Sequence, residues 1–140
     1  MSDANKDVVR RVFEEAVNTG KLELLNGLIA EDYTSPSGAS ATGPEAFVKP
    51  IRALSEAFPD IRYQLKDLIA EGDQVAVRWT WSGTHRNVYR GPTGVYPPTG
   101  KQLANDGMAV FQVSGGKVRR AWLLTDRLGF LQEVGGVPRP

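Results

Sequence analysis

The sequence contains no cysteine, and His85 is its only histidine. Without cysteine, disulfide bonds, thiolate metal sites and cysteine nucleophiles are excluded. With one histidine, a metal site built from several imidazoles is excluded as well. The side chains left to carry chemistry are carboxyl, hydroxyl, amide and aromatic groups and this one imidazole.

An excess of charge of one sign is also missing, because 17 basic and 16 acidic residues are spread along the 140-residue chain. A nucleic-acid groove or a membrane-binding surface needs clustered basic residues, so we expect neither kind of partner. No apolar run approaches the roughly 20 residues of a membrane span. The charged N-terminus lacks the apolar centre of a signal peptide. These absences predict a cytoplasmic protein.

The first half of the chain has helical periodicity. Apolar residues recur at helical spacing from Val8 to Val17, and Gly20 can end this first helix. The same pattern, more briefly, predicts a second helix over residues 21–33. Pro44 occupies a favoured first-turn position of a third helix, which is expected to kink at Pro50.

The second half alternates between apolar and polar residues, as strands do. Strands are predicted over 61–70 and 74–85, and the SGGK turn joins residues 102–113 and 118–125 in a hairpin. Helices followed by an antiparallel sheet indicate the α+β class. Because no linker or repeat divides the chain, we expect a single domain over 1–140. Its expected form is a cone-shaped α+β barrel, in which a curved sheet packed against the helices surrounds a pocket.

Asp126 stands where the last strand meets a short final helix, and it has two interpretations. In the first, Asp126 or Thr125 caps that helix. In the second, Asp126 is an acid/base group at the bottom of the pocket. Trp122 and Leu124 share its strand parity, as does Val118, so all of them would face the same side.

Two further polar candidates lie at other strands. His85 titrates near neutrality and ends a strand at the start of a long loop, which suits the rim of a pocket or an exposed position. There it could serve as a proton partner or donate a hydrogen bond to a substrate carbonyl. Asn105 and Asp106 have opposite parity, so only one of them can face inward.

Aromatic residues supply candidates for ligand contact. Trp79 and Trp81 share one face of a strand, and with Trp122 they could stack on a flat polycyclic ligand or could pack in the core. The hydroxyls of Tyr33, Tyr89 and Tyr96 could bind a substrate. Tyr89 and Tyr96 lie in the long loop, which could act as a lid or pack on the surface.

Four segments together resemble a known family. They are VVRRVFEEAVNTGKLELLNGLIAEDY, GPEAFVKPIRALSEAFPDIRYQLKDLIAEGDQVAVRWTWSGTH, PPTGK and VFQVSGGKVRRAWLLTDRLGFLQEVG. Their order and spacing resemble the SnoaL-like polyketide cyclases, within the nuclear transport factor 2-like superfamily. The resemblance implies an α+β barrel, a homodimer or homotetramer, and an apolar pocket for a polycyclic aromatic substrate.

The resemblance also implies a reaction. In the family an aspartate at the end of the last long strand acts as acid/base in an intramolecular aldol ring closure, without metal or cofactor, and Asp126 matches it. The catalytic residues so predicted are Asp126 and His85. The predicted substrate-binding residues are Trp122, Asn105, Trp79, Trp81, Tyr33 and Leu124. Two alternatives stay open: a hydroxylase acting on an anthracycline-type polyketide, and a non-catalytic binding or assembly domain.

Overall fold

Helices cover one face of a sheet in the computed structural model, which describes residues 2–35 and 42–138. Helix α1 (Ser2–Arg10) continues directly as a π-helical segment (Arg11–Val17). Helix α2 spans Pro44–Ala57 with Pro50 inside it, and α3 spans Arg127–Val134. No helix within the described residues is long and apolar enough to cross a membrane.

The sheet has five strands in the order β1-β7-β6-β3-β2. Strand β1 runs parallel to β7, and the other neighbours are antiparallel. A separate two-stranded hairpin, β4–β5, lies in the long segment after His85. The strand bounds are β1 Ile29–Thr34, β2 Arg62–Glu71, β3 Gln74–Thr84, β4 Tyr89–Gly91, β5 Gly94–Tyr96, β6 Gln102–Ser114 and β7 Lys117–Thr125.

The predicted α+β order is confirmed, with one error in the elements. Where a second helix was predicted over 21–33, a short 3₁₀ helix (Leu22–Gly27) is followed by β1. Ile29 pairs with Val118 of β7, and Tyr33 is buried next to Phe47. Pairing with a distant strand therefore overrides the local helical pattern. The loop predicted over 34–44 lies mostly outside the described residues.

Besides a shift in the β1–β7 pairing, two single-residue irregularities in the strand register shape the sheet. In β2 the register shifts between Leu65 and Asp67, and at the start of β7 it shifts opposite Gln112 and Val113. Each shift inserts an unpaired residue, which bends the strand and reverses the parity of the side chains. The prediction that Val118 shares a face with Trp122 is therefore wrong, because Val118 is buried and Trp122 is exposed.

The core lies between the helices and the inner face of the sheet. The alternating residues of β3 from Val75 to Trp81 share one face, as the sequence predicted, and the structure shows that this face points into the core. Phe13 of the π-helical segment packs its ring 5.3 Å from both Trp79 and Tyr63. Aromatic rings therefore form much of the core beneath the helices.

Candidate active site

The structure divides the predicted site residues between the two faces of the sheet. Beneath the helices, four of them are buried: Trp79, Trp81, Asn105 and Tyr33. His85 is fully buried just beyond the end of β3. Trp122 and Leu124 are exposed on the outer face, and Asp126 is exposed at the end of β7.

Asp126 caps α3, as the first interpretation of the sequence predicted. Its Oδ1 accepts a hydrogen bond of 2.9 Å from the backbone N–H of Gly129. An added Cβ on Gly129 would overlap the carboxyl group of Asp126. The carboxylate can therefore occupy this place only because residue 129 has no side chain.

Asn105 connects Asp126 to the inner face of the sheet. Its amide Nδ2 donates a hydrogen bond of 2.9 Å to the backbone carbonyl of Asp126. Asn105 also lies opposite Trp81 in the pairing of β6 with β3. Of the two candidates with opposite parity, Asn105 thus faces inward, whereas Asp106 is exposed and accepts a hydrogen bond from Thr80 at 2.6 Å.

An aromatic cluster joins this corner to His85. The ring of Phe58, just past α2, lies 5.0 Å from the rings of both Trp81 and His85. Phe130 of α3 lies 5.9 Å from Trp81 and 6.0 Å from Phe58. The helix that Asp126 caps therefore packs on the same rings as the imidazole.

His85 is buried, and neither a rim position nor an exposed one describes it. Its Nδ1 accepts a hydrogen bond of 3.3 Å from the backbone N–H of Thr99 and lies 3.1 Å from the Thr99 hydroxyl. Its Nε2 has no hydrogen-bond partner in the part of the chain that the structure describes. Burial lowers the pKa of His85, and a backbone group of Asn87 acts in the opposite direction.

Buried hydroxyl and indole groups add hydrogen-bond donors. Burial raises the pKa of the Tyr63 phenol strongly, and it also raises the pKa of Tyr33 and Tyr89. These phenols therefore keep their protons at neutral pH and can donate hydrogen bonds. The indole Nε1 of Trp79 is a second buried nitrogen without a partner among the described residues.

The β4–β5 hairpin packs against α3. The ring of Tyr89 lies 5.1 Å from that of Phe130 and 6.0 Å from that of Tyr96. Tyr96 in turn lies close to Gly136, where an added Cβ would come within 2.7 Å of the ring. The two tyrosines of the predicted lid thus hold the hairpin on the helix that Asp126 caps.

The outer face carries an apolar groove of about 550 Å³. Trp122 is 38% exposed and Leu124 is 73% exposed. Ile69, Met108 and Val110 are also exposed there. Trp122 and Leu124 line this groove and lie on the opposite side of the sheet from Trp81 and Asn105.

Sequence reasoning missed three residues that shape the site: Thr99, Phe58 and Gly129. Phe58 was read as part of the third helix, and Thr99 as part of a loop. Gly129 could have been found from the sequence. It stands in the first turn of the predicted final helix, where glycine is unexpected because it is a poor helix former. The contact of Thr99 with His85 joins segments 14 positions apart and had no signal in the sequence.

No group of three or more His, Asp or Glu side chains in the described residues is arranged to hold a metal ion.

Residues 7–134 match the sequence profile of the family described as SnoaL-like polyketide cyclase. Among solved structures, the chain is similar to a candidate polyketide cyclase from Acidithiobacillus ferrooxidans, with 28% identity, a TM-score of 0.79 and coverage of 96% of each chain. It is also similar to IdmH, a candidate polyketide cyclase from Streptomyces antibioticus, with 26% identity, a TM-score of 0.76 and coverage of 94% of this chain and 98% of IdmH.

The fold also matches that of AclR, a candidate hydroxylase from Streptomyces galilaeus, with 23% identity and a TM-score of 0.85 over 100% of this chain and 86% of AclR. No curated protein matches the sequence. These matches confirm the family resemblance and the fold that the sequence predicts.

Proposed function

Because the chain belongs to the SnoaL-like polyketide cyclase family, we propose that it closes a ring in an aromatic polyketide by an intramolecular aldol reaction. Asp126 is the proposed acid/base, and no cofactor is required. The observation that carries the proposal is the hydrogen bond from buried Asn105 to the backbone of Asp126. It holds the backbone of Asp126 beside the inner aromatic face of the sheet.

The proposed reaction uses one carboxyl group twice. The Asp126 carboxylate first removes a proton from a carbon next to a substrate carbonyl, which gives an enolate. The enolate carbon then attacks a second carbonyl of the same molecule, forming a carbon–carbon bond and an alkoxide. Asp126 returns the proton to this alkoxide, so atoms and charge balance and the mass is unchanged.

The inner face offers groups that suit a flat, oxygen-bearing substrate. The proposed contacts with its rings are Trp79 and Trp81, which are large aromatic surfaces. The proposed contacts with its oxygens are Asn105 and Tyr33, both buried and able to donate hydrogen bonds. His85 is the proposed polariser of a carbonyl group.

An asparagine at position 126 tests the acid/base role, because asparagine caps helices about as well as aspartate. We expect Asp126→Asn to fold with near-wild-type stability and to lose at least about 100-fold in turnover. Turnover is measured by liquid chromatography, which separates tricyclic aromatic polyketide esters from their ring-closed isomers. Asp126→Ala is the control that loses both the cap and the carboxyl group. A folded Asp126→Asn protein with unchanged turnover would contradict the role and would favour a non-catalytic binding domain.

Hydroxylation is the second candidate, because AclR shares the fold over the whole of this chain. In this case the substrate, once deprotonated, would react with molecular oxygen, and a reductant would supply the two electrons that reduce the second oxygen atom to water. Product mass separates the two reactions. Aldol closure leaves the mass unchanged, whereas hydroxylation adds one oxygen atom.

We also propose that two copies pair through the outer face of the sheet. Four strands align their exposed residues there in two neighbouring rows: Ile69, Ala76, Val110 and Trp122, and then Asp67, Arg78, Met108 and Leu124. Soluble monomers rarely expose large apolar side chains in such a continuous patch. A second copy of the chain carries the same patch and can cover it. Trp122 and Leu124, predicted to bind substrate, are then contacts between subunits.

Charge supports this arrangement. The next row along the strands starts at Glu71 on β2 and ends at Arg120 on β7. A two-fold axis parallel to the strands would place β2 of one subunit over β7 of the other. Glu71 would then face Arg120 of the partner subunit, once at each end of the interface.

A further inference from the structure

The ring of His85 is enclosed by a short segment from a distant part of the chain. The backbone N–H of His85 donates to the Lys101 carbonyl, and the N–H of Gly100 donates to the His85 carbonyl, both at 2.9 Å. One face of the imidazole stacks on Phe58 at 5.0 Å with an interplanar angle of 19°. These contacts fix the orientation of the ring.

The hydrogen bonds to Nδ1 determine which nitrogen carries the proton. The backbone N–H of Thr99 points at Nδ1 at 3.3 Å, and a backbone N–H can only donate. The Thr99 hydroxyl accepts a hydrogen bond from the Lys101 N–H at 3.2 Å, so its own proton is available for Nδ1, 3.1 Å away. Because Nδ1 must accept, the proton of the neutral ring lies on Nε2.

No described residue then forms a well-aligned hydrogen bond with the buried Nε2–H group. The backbone of Asn87 is close enough to raise the pKa of the ring but does not complete that bond. A buried donor without a partner destabilises the folded protein. Such a group calls for a ligand or a water molecule that completes the hydrogen bond. Burial of His85 also disfavours the imidazolium form, which agrees with a neutral ring.

We propose that Thr99 is a positioning residue that holds His85 as the neutral Nε2–H tautomer, so that His85 donates a hydrogen bond to a carbonyl oxygen of the substrate and does not accept a proton. The donor role rests on the function proposed above. In an aldol reaction the carbonyl oxygens gain negative charge, and a fixed donor stabilises that charge. Because the ring is covered, the substrate must displace a neighbour, and we expect residues 86–98 to move.

The tautomer can be measured directly, because His85 is the only histidine. In ¹⁵N-labelled protein, long-range ¹H–¹⁵N spectra distinguish the two ring nitrogens without site assignment. We expect the wild-type ring to be protonated at Nε2 alone near neutral pH. Thr99→Val keeps the backbone N–H but loses the hydroxyl proton, so it should add a minor population of the Nδ1–H tautomer, and Thr99→Ser should restore the wild-type spectrum. A wild-type ring protonated at Nδ1, or a Thr99→Val spectrum identical to that of the wild type, overturns the role of Thr99.

The donor role is tested with 1,8-dihydroxyanthraquinone, a flat tricyclic probe with carbonyl oxygens. We expect its addition to shift the His85 Nε2 resonance. His85→Gln keeps an uncharged N–H donor and should bind the probe nearly as well as the wild type. His85→Leu lacks the donor and should bind about tenfold more weakly. An unmoved Nε2 resonance, or equal binding by the Gln and Leu variants, overturns the donor role.

These measurements do not depend on turnover. Their outcome can therefore contradict the role of His85 without bearing on the proposed role of Asp126. In the turnover assay, a donor predicts that His85→Gln loses much less turnover than His85→Leu. A proton acceptor predicts that it loses about as much as Asp126→Asn. Loss of that size in folded His85→Gln would overturn the donor role even if Asp126 proves to be the acid/base.

Discussion

At the scale of single residues, burial controls the protonation of His85. It lowers the pKa of the folded protein's imidazole, and a backbone group of Asn87 partly opposes this. In the unfolded chain the pKa of histidine is about 6.5, so the unfolded chain binds a proton at higher pH than the folded protein does. Between the two pKa values the unfolded state holds more protons, so stability is present at higher pH and is lost as the pH falls.

We expect the free energy of unfolding of the wild type to fall, relative to that of His85→Gln, as the pH decreases below about 6.5. Glutamine does not titrate, and both proteins keep the same 16 acidic residues, so the difference between them isolates the imidazole. Urea unfolding at a series of pH values measures this difference. A difference that does not change with pH would contradict the expected effect of burial.

The sequence could identify His85 as a candidate but not its environment. Its position at the end of an alternating strand was readable, because Trp79 and Trp81 precede it at a spacing of two. The rings and hydrogen bonds that enclose it come from Phe58 and Thr99, which belong to other segments. Contacts of this kind follow from the packing of the whole chain and leave no local pattern.

At the scale of elements, the start of α3 holds the proposed acid/base in place. Gly129→Ala would add a Cβ that overlaps the Asp126 carboxyl group. Loss of the cap costs about 1 kcal/mol, and alanine in place of glycine within a helix restores about the same amount. We therefore expect a net change in stability below about 1 kcal/mol.

Turnover should respond much more strongly to Gly129→Ala. A displacement of about 1 Å in a catalytic group can cost on the order of 100-fold, so we expect a loss of about 10- to 100-fold. Leu128→Ala, at an exposed neighbouring position, is the matched control and should keep its turnover. If Gly129→Ala keeps wild-type turnover, the capped position of the carboxylate is not the active one.

The elements that the sequence predicted well are those whose pattern is local. Alternation in β3 and β6 correctly indicated which residues share a face. It left open which face is buried, so Asn105 and Asp106 were both candidates for an inward position. Strand β1 was misread as a helix because its pairing with β7 joins distant segments. The register shift at the start of β7 could not be predicted from the sequence either. Because of it, Val118 faces inward whereas Trp122 faces outward.

At the scale of the whole molecule, the outer face of the sheet is the feature that calls for a partner. The two rows are apolar except for the ion pair of Arg78 with Asp67. They lie between polar rows, with Thr80 and Asp106 on one side and Gln74 and Gln112 on the other. An apolar centre with a polar rim is the usual form of an interface between proteins. A stable interface buries about 800 Å² on each partner, so the polar rows must take part. Their charges should then fix the orientation of the two subunits.

The charges give the sharpest test of the proposed homodimer. We expect Leu124→Glu, which puts a charge in the apolar rows, to convert the protein to a monomer in analytical ultracentrifugation. Ala104→Glu lies on the outer side of β6, in the row beyond Asp106, and is the matched control that should stay dimeric.

Glu71→Arg and Arg120→Glu should each weaken the dimer by placing like charges opposite each other, and the double variant should restore it. A double variant weaker than both single variants would contradict a two-fold axis parallel to the strands, and a dimeric Leu124→Glu protein would contradict pairing through this face.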